Sequence, residues 1–327
     1  MKKDANIPYK IYLSENEIPK EWYNVRADMK NKPAPLLNPG TLQPMTADDL
    51  RPVFCDELIA QELDSMAQLK LNVYHFHFTE HPGWRLESKI YPELNDPKNF
   101  TRMPGKFYTQ KEFKQLVEYC RLRNILLIPE MDMPGHSQPF AKAMKIGMQT
   151  EKGVSILKDV VDETVALFPG RFFHMGSDEV HITMKDFIPR MAEYIRGKGK
   201  EVIVWSPGGP HDKDSVLMCW GESEAGARMD KGMKRIDSNG FYIDWADSQS
   251  GVYQVFFQQP CEVPQGDEKA LGAIMPVWCD GNLSSEKRVL EQYPLYPCVL
   301  TFAERVWRGS ATKPVSYTHL RAHETLM

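Results

Sequence analysis

Residues 69–78 read LKLNVYHFHF, and the reading of this run decides the fold. Both of its faces are mostly apolar, as in a strand covered on both sides within a parallel sheet. A parallel partner needs a long crossover, and the next segments supply one. Thr109 and Glu112 make a capping box ahead of Phe113, Leu116, Val117 and Cys120, which recur at helical spacing. Asn124 closes that helix, and ILLIPE (125–130) reads as the next strand. Val154, Leu157, Val161, Val165 and Phe168 mark a further helix, followed by RFFHMG (171–176) as a strand. EVIVW (201–205), VLMCW (216–220), the stretch around GFYID (240–244) and AIMPVW (273–278) continue the series. Repeated strand–helix alternation over about 250 residues predicts an α/β fold, a (β/α)8 TIM-type barrel. A doubly wound sheet is the alternative, but no glycine-rich phosphate loop follows the early strands.

Outside this region the texture changes. Residues 1–53 are proline-rich, with Pro8, Pro19, Pro33, Pro35, Pro39, Pro44 and Pro52, which predicts an irregular extended arm. The last stretch, KPVSYTHLRAHETLM, is polar and lacks a period. Of the 327 residues 42% are hydrophobic, enough for a sizeable core, and 44 acids against 40 bases leave a net charge of −4. With the two signs mixed, no nucleic-acid or anionic-membrane surface is implied. No run approaches the roughly 18 apolar residues of a membrane helix. The first residues, MKKDANIPYKIYLSE, lack the apolar core of a signal peptide. Six cysteines (Cys55, Cys120, Cys219, Cys261, Cys279 and Cys298) include no CxxC pair. They read as buried thiols rather than a disulfide framework or a zinc site.

In a barrel, chemistry gathers at the C-terminal ends of the strands. Those ends carry His77, Thr79 and Glu80; Glu130, Asp132 and His136; His174, Asp178 and Glu179; Trp205; Trp220; Tyr242 and Asp244; and Trp278 and Asp280. Any one of these would pass as a satisfied core polar or aromatic residue. Seven consecutive strand ends of this kind argue for a site. Asp178 and Glu179 are adjacent, so they can share a pocket only where the chain leaves its strand. Glu179 is the candidate general acid, expected to sit protonated among aromatics, while Asp178 is expected to stay charged and orient a group. Trp205, Trp220 and Trp278 would wall a sugar, and Tyr242 would donate to a carbonyl or developing anion. Two adjacent acids cannot easily flank a glycosidic bond as nucleophile and acid, which points to a nucleophile supplied by the substrate.

Five motifs carry a resemblance: KLNVYHFHFTEHPGWRLESKIYPEL, YTQKEFKQLVEYC, IPEMDMPGHS, FHMGSDEV and AERVWRG. They stand in collinear order over 66–312, about three quarters of the chain, and resemble glycoside hydrolase family 20, the β-N-acetylhexosaminidases. The resemblance implies retaining hydrolysis of terminal N-acetylglucosamine or N-acetylgalactosamine. In that mechanism the substrate's own acetamido carbonyl attacks, through an oxazolinium-type intermediate, outside the two-carboxylate rule. By motif, Glu179 resembles the general acid/base and Asp178 the residue that orients the acetamido nitrogen. Tyr242, in a Tyr-x-Asp pattern with Asp244, resembles the donor to the acetamido oxygen, and His136 the histidine supporting the acid pair. Trp205, Trp220 and Trp278 resemble the sugar walls. Asp280 stands where glutamate is common and Glu80 where aspartate is usual; both would meet sugar hydroxyls. No cofactor or metal is implied, and the implied partners are N-acetylhexosamine-containing glycans. Members of the family are often exported or lysosomal.

The family's first strand, with an arginine that grips the sugar, has no match upstream of residue 66. Residues 6–64 instead resemble the N-terminal arm of a tryptophan synthase β chain of the longer type. The lysine that binds pyridoxal phosphate in such proteins has no counterpart, so that cofactor is not implied. Residues 313–327 resemble a non-native tail. The chain therefore reads as a chimera: 1–64 head, 65–312 partial catalytic barrel, 313–327 tail. A barrel short of one strand leaves unpaired edges, which predicts poor folding and weak turnover. Three rivals follow from particular features. A metal-dependent hydrolase would use His75 and His77 with His81, His174 and His181. A non-catalytic sugar-binding protein would need the aromatic rim alone, and a pyridoxal-phosphate enzyme has only the head in its favour.

Overall fold

The computed structural model describes residues 57–221, 232–243, 246–278 and 295–309. They fall in two compact units that divide between Leu217 and Met218. The remainder of the head (1–56) and the tail (313–327) lie outside the described residues.

The first unit begins with helix α1 (Glu57–Gln68). It buries Ala60 and Leu63. Its Asp64 accepts hydrogen bonds from Tyr119 Oη at 2.8 Å and Arg123 Nε at 2.6 Å. The helix thus runs across residue 64, where the sequence set the border of the barrel. Strand β1 (Val73–His77) is followed by a small antiparallel hairpin, β2 (Thr79–Glu80) with β3 (Gly83–Trp84). Helix α2 (Gln110–Arg121) then carries the chain back to β4 (Leu126–Glu130). β4 lies parallel to β1, in a register running from Val73 opposite Leu126 to His77 opposite Glu130. The expected capping box of α2 is present, and Phe113, Leu116, Val117 and Cys120 are its buried face. The helix stops at Arg121, and Asn124 turns the chain with φ +58°.

Helices α3 (Gln138–Met144) and α4 (Glu151–Val165) lead to β5 (Phe172–His174), and α5 (Phe187–Gly197) to β6 (Glu201–Ser206). Val154, Leu157 and Val161 face inward from α4, whereas Phe168 is buried beyond its end. β4, β5 and β6 continue the parallel pairing in chain order, with Glu130 opposite His174 and Phe173 opposite Val202. Parallel strands in chain order with helical crossovers are the repeat of a TIM-type α/β fold.

β7 (Val216–Cys219) runs across the division between the units. In the second unit, β8 (Arg235–Asp237) and β9 (Ala270–Ala273) are parallel. Helices α6 (Ser248–Phe257) and α7 (Leu295–Arg308) belong to this unit. Two strand expectations are corrected here. GFYID is not the strand: Asp237 Oδ1 accepts from Asn239 N at 2.9 Å and Gly240 has φ +76°. The chain therefore turns before Phe241, and the strand is RID ahead of that turn. AIMPVW overlaps β9 only at Ala273. Ile274 N makes a last bond to Asp237 O at 2.8 Å, and Pro276 has no N–H to continue the ladder.

Because α2 starts on both bonds of its capping box, replacing Thr109 should be felt in stability. Thr109→Ala is expected to cost about 1 kcal/mol and Thr109→Ser much less, read from urea unfolding midpoints at constant slope.

Candidate active site

The strand β5 ends at His174, but its backbone stays tied on both sides for two more residues. Met133 N donates to Met175 O at 3.0 Å, Met175 N to Ile203 O at 3.0 Å, and Trp205 N to Gly176 O at 3.0 Å. The chain then breaks direction through left-handed conformations: Gly176 at φ +66°, Ser177 at +86° and Glu179 at +48°. Non-glycine residues in this region are strained, and such strain collects at functional sites. Gly176 is required for a second reason, since any side chain there would meet the Asp132 carboxylate. Asp132 Oδ1 accepts from Ser177 N at 3.0 Å and so clamps the turn.

This turn separates the adjacent acids. Asp178 faces inward, with one carboxylate oxygen buried and without a hydrogen-bond partner. Glu179 faces outward, its side chain 60% exposed. The expectation of a Glu179 packed among aromatics is therefore corrected: the left-handed φ of Glu179 swings it to the surface. Asp178 holds its proton more tightly than an ordinary carboxyl. Burial, and next the Glu130 carboxylate, push its carboxyl up to about 6. Burial with the charges of Glu130 and Asp178 likewise raises Asp132 well above the usual carboxylate range.

Glu130, at the end of β4, is fully buried. Three imidazoles and an indole surround it. Trp205 Nε1 donates to Oε1 at 2.7 Å, and His174 Nδ1 lies 3.3 Å from the same oxygen. His75 Nε2 and His77 Nδ1 lie 2.7 and 2.8 Å from Oε2. Burial opposes charge on Glu130, but His174, His77 and His75 outweigh it and hold the carboxyl well below the ordinary range. Burial brings His174 down to about 4, whereas His77, also opposed by burial, is raised well above its ordinary value by Glu130 and Glu80. Trp205, expected as a sugar wall, lies beneath the acids instead: it is 2% exposed and its ring packs on His174 at 4.8 Å and His75 at 5.5 Å.

A line of alternating acids and imidazoles leads outward from Glu130. His77 Nε2 is 3.4 Å from Glu80 Oε2, and His136 Nδ1 is 2.9 Å from Glu80 Oε1. His136 Nε2 reaches Glu179 Oε2 at 3.4 Å. His136 has φ +41° and stacks on His81 with centroids 5.0 Å apart. Its bond to Glu80 raises the ring to about 9. Burial opposes ionisation of Glu80, but the bonds from His136 and His77 hold its carboxyl far below the usual range. Glu80, expected as a contact to sugar hydroxyls, thus has an oxygen on each histidine.

The sequence put Glu130, Asp132, His77 and His174 at strand ends without assigning them to the site. The signal for them was the i, i+2 spacing of His75 and His77 on one strand face, taken there as metal-ligand spacing. Among the described residues three groups do bring donor atoms within 4.8 Å of one another: His75, Glu130 and His174; Glu80, His81 and His136; and Asp132, His136 and Asp178. Both nitrogens of His136 face carboxylates, and His174 Nδ1 accepts Gly176 N at 3.1 Å. Asp132 Oδ2 and Asp178 Oδ1, by contrast, are buried and make no hydrogen bond. In the second unit, Trp220 follows β7, Tyr242 follows the turn after β8, and Trp278 follows β9, each half-buried. Asp244 and Asp280 lie outside the described residues.

The model of the glycosyl hydrolase family 20 catalytic domain matches residues 45–150, starting upstream of residue 65. The β-hexosaminidase of Porphyromonas gingivalis (strain ATCC BAA-308 / W83) is 28% identical over 327 residues, covering 79% of this chain and 42% of that protein. The β-hexosaminidase of Vibrio furnissii is 25% identical, covering 76% of this chain and 53% of that protein. The chain spans about half the length of these curated relatives. Among solved structures, the β-N-acetylhexosaminidase of Bacteroides fragilis NCTC 9343 superposes with a TM-score of 0.68 at 23% identity, over 82% of this chain and 66% of that one. The family 20 enzyme of Streptomyces coelicolor A3(2) gives 0.68 at 22% identity, over 84% and 64%. These likenesses show the TIM-type α/β fold.

A carboxyl raised from its ordinary range to about 6 makes stability fall as pH rises. The cost is absent below the unfolded value and complete above the folded one. Asp178→Asn is therefore expected to raise Tm at pH 7 and to leave it unchanged near pH 3.5, both read by calorimetry; equal gains at the two pH values would refute the inward, raised Asp178.

Proposed function

We propose that this chain hydrolyses terminal N-acetylglucosaminides and N-acetylgalactosaminides with retention, using the substrate's acetamido group as nucleophile. The names of the β-hexosaminidases it resembles support the reading. The observation that carries it is the divergence of two adjacent acids, one inward and one outward, from a single strained turn. Asp178 would accept the acetamido N–H and so aim the carbonyl oxygen at the anomeric carbon. A proton affinity raised by burial suits a group that must stabilise that N–H as positive charge develops in the ring-closed intermediate. Glu179 would give its proton to the leaving oxygen and then take one from the attacking water. His136, tied to Glu80, would hold Glu179 in place from behind.

The remaining sequence assignments enter as proposals. Tyr242 would donate to the acetamido oxygen, and Trp220 and Trp278 would wall the sugar, with Trp205 forming the floor under the acetamido group. Asp244 and Asp280 would meet hydroxyls. The division into a head (1–64), catalytic part (65–312) and tail (313–327) is proposed on the resemblances of each stretch. The genomic reading frame across residues 60–70 tests it, and a continuous frame in a single native gene removes the chimera. Binding of N-acetylhexosamine without turnover is a second reading. It is favoured by β1, which has β4 as its one sheet neighbour among the described residues.

The test is hydrolysis of 4-nitrophenyl N-acetyl-β-D-glucosaminide against the glucoside that lacks the acetamido group. Turnover of the first alone, with the β-anomer released first by proton NMR, is expected. Glu179→Gln should lower kcat by about 10²–10⁴, less so on substrates with good leaving groups. Equal turnover of both glycosides would sink the proposal; tight binding of N-acetylglucosamine without turnover would favour the second reading.

A further inference from the structure

Resting on the reading of Glu179 as proton donor, we propose that His77 is a positioning residue: a permanent imidazolium held between Glu130 and Glu80, which fixes Glu80 so that His136 is aimed at Glu179. Two carboxylates flank His77. His77 Nδ1 lies 2.8 Å from Glu130 Oε2, and its Nε2 lies 3.4 Å from Glu80 Oε2. An ionised carboxylate only accepts, and a neutral imidazole has a single N–H. In either neutral tautomer one ring lone pair would lie near a carboxylate oxygen. A doubly protonated ring sets a cation within ion-pair distance of both carboxylates. Its acidic surroundings agree: Glu130, Glu80 and Asp132 all raise its proton affinity.

Three features make this arrangement rigid. β1 pairs in register with β4 so that His77 lies beside Glu130 across the sheet. Glu130 cannot swing away, because Trp205 Nε1 holds its other oxygen at 2.7 Å. Glu80 Oε1, in turn, is bound by His81 N at 2.6 Å and His136 Nδ1 at 2.9 Å. Charge therefore alternates along the line Glu130, His77, Glu80 and His136, ending at Glu179. The other groups facing His136 are Asp132 and Asp178, with His81 stacked on its ring. Removing the Glu130 charge leaves His77 without its closest counter-ion in a buried place, so the ring becomes neutral. Glu80 then spends its whole charge on His136, and His136 holds its proton to higher pH.

The experiment is nitrogen-15 NMR of the histidine rings across about pH 5.5–8.5, beside the pH profile of kcat. In the wild-type protein both His77 nitrogens should stay protonated throughout. In Glu130→Gln, His77 should titrate inside that window, and the basic limb of kcat should move up by roughly one pH unit. In the same variant kcat should fall, with KM unchanged within about twofold. A wild-type His77 with one ring proton overturns the proposal, as do His77 and His136 curves in Glu130→Gln that overlay the wild type. Should Glu130→Gln not fold, Glu80→Gln removes the other partner, and His77 must then titrate in the window or the proposal falls. A wild-type protein that cleaves no N-acetylhexosaminide defeats the proposed activity, while the ring titrations still decide His77.

Discussion

Glu130 is a carboxylate with no access to solvent, and that constraint organises the first unit. An ion stripped of water costs several kcal/mol unless it is paired and hydrogen-bonded. Three strands meet this demand from three directions. β1 brings His75 and His77, β5 brings His174, and β6 brings Trp205. Each lies on the strand face that looks at Glu130. A slip of one residue in any of these pairings would turn its contribution to the opposite face and leave the charge exposed to apolar packing. The carboxylate thus fixes the register of the strands as firmly as the hydrophobic side chains around it do.

The turn after β5 inherits this geometry. Its backbone is held between β4 and β6 up to Gly176, so the chain must change direction within the next three residues. Left-handed φ at Gly176, Ser177 and Glu179 achieves the reversal. One consequence is chemical. Asp178 stays in the low-dielectric interior, where the field of Glu130 raises its proton affinity, and Glu179 stands at the surface beside His136. Two side chains of nearly the same chemistry acquire different environments because the backbone between them is strained.

Much of the first unit could be read from sequence because its signals are local. Buried parallel strands are short apolar runs, and α2 announces its start with Thr109 and Glu112. β8 and β9 were misplaced because their limits depend on a turn built by the Asp237 side chain and on the missing N–H of Pro276, while the apolar runs continue past both. In the site, the pair Asp178–Glu179 and the supporting His136 were legible as a motif. Which acid turns inward was not, since the left-handed φ that decides it falls on a glutamate rather than a glycine. In the sequence Trp205 reads as a wall because strand-end tryptophans often stack on sugars; its burial against His75 and His174 depends on neighbours brought together only by the sheet. His75 and His77 pointed to metal for the same reason. Spacing locates two imidazoles on one face, but only the register with β4 puts a carboxylate between them.

The field within the first unit is divided by Glu130. On one side, toward Asp132 and Asp178, its charge meets other acids and favours their protonated forms. On the other, toward His77, Glu80 and His136, it begins a series of opposite charges, each of which stabilises the next. The two sides converge on neighbouring residues, because Asp178 belongs to the first and Glu179 touches the second through His136. A mechanism that needs one acid to stabilise developing cationic charge and another to move a proton requires this separation of environments within one residue step. A single buried carboxylate supplies it: it repels the negative form of Asp178 and, through His77 and Glu80, anchors the ring that holds Glu179.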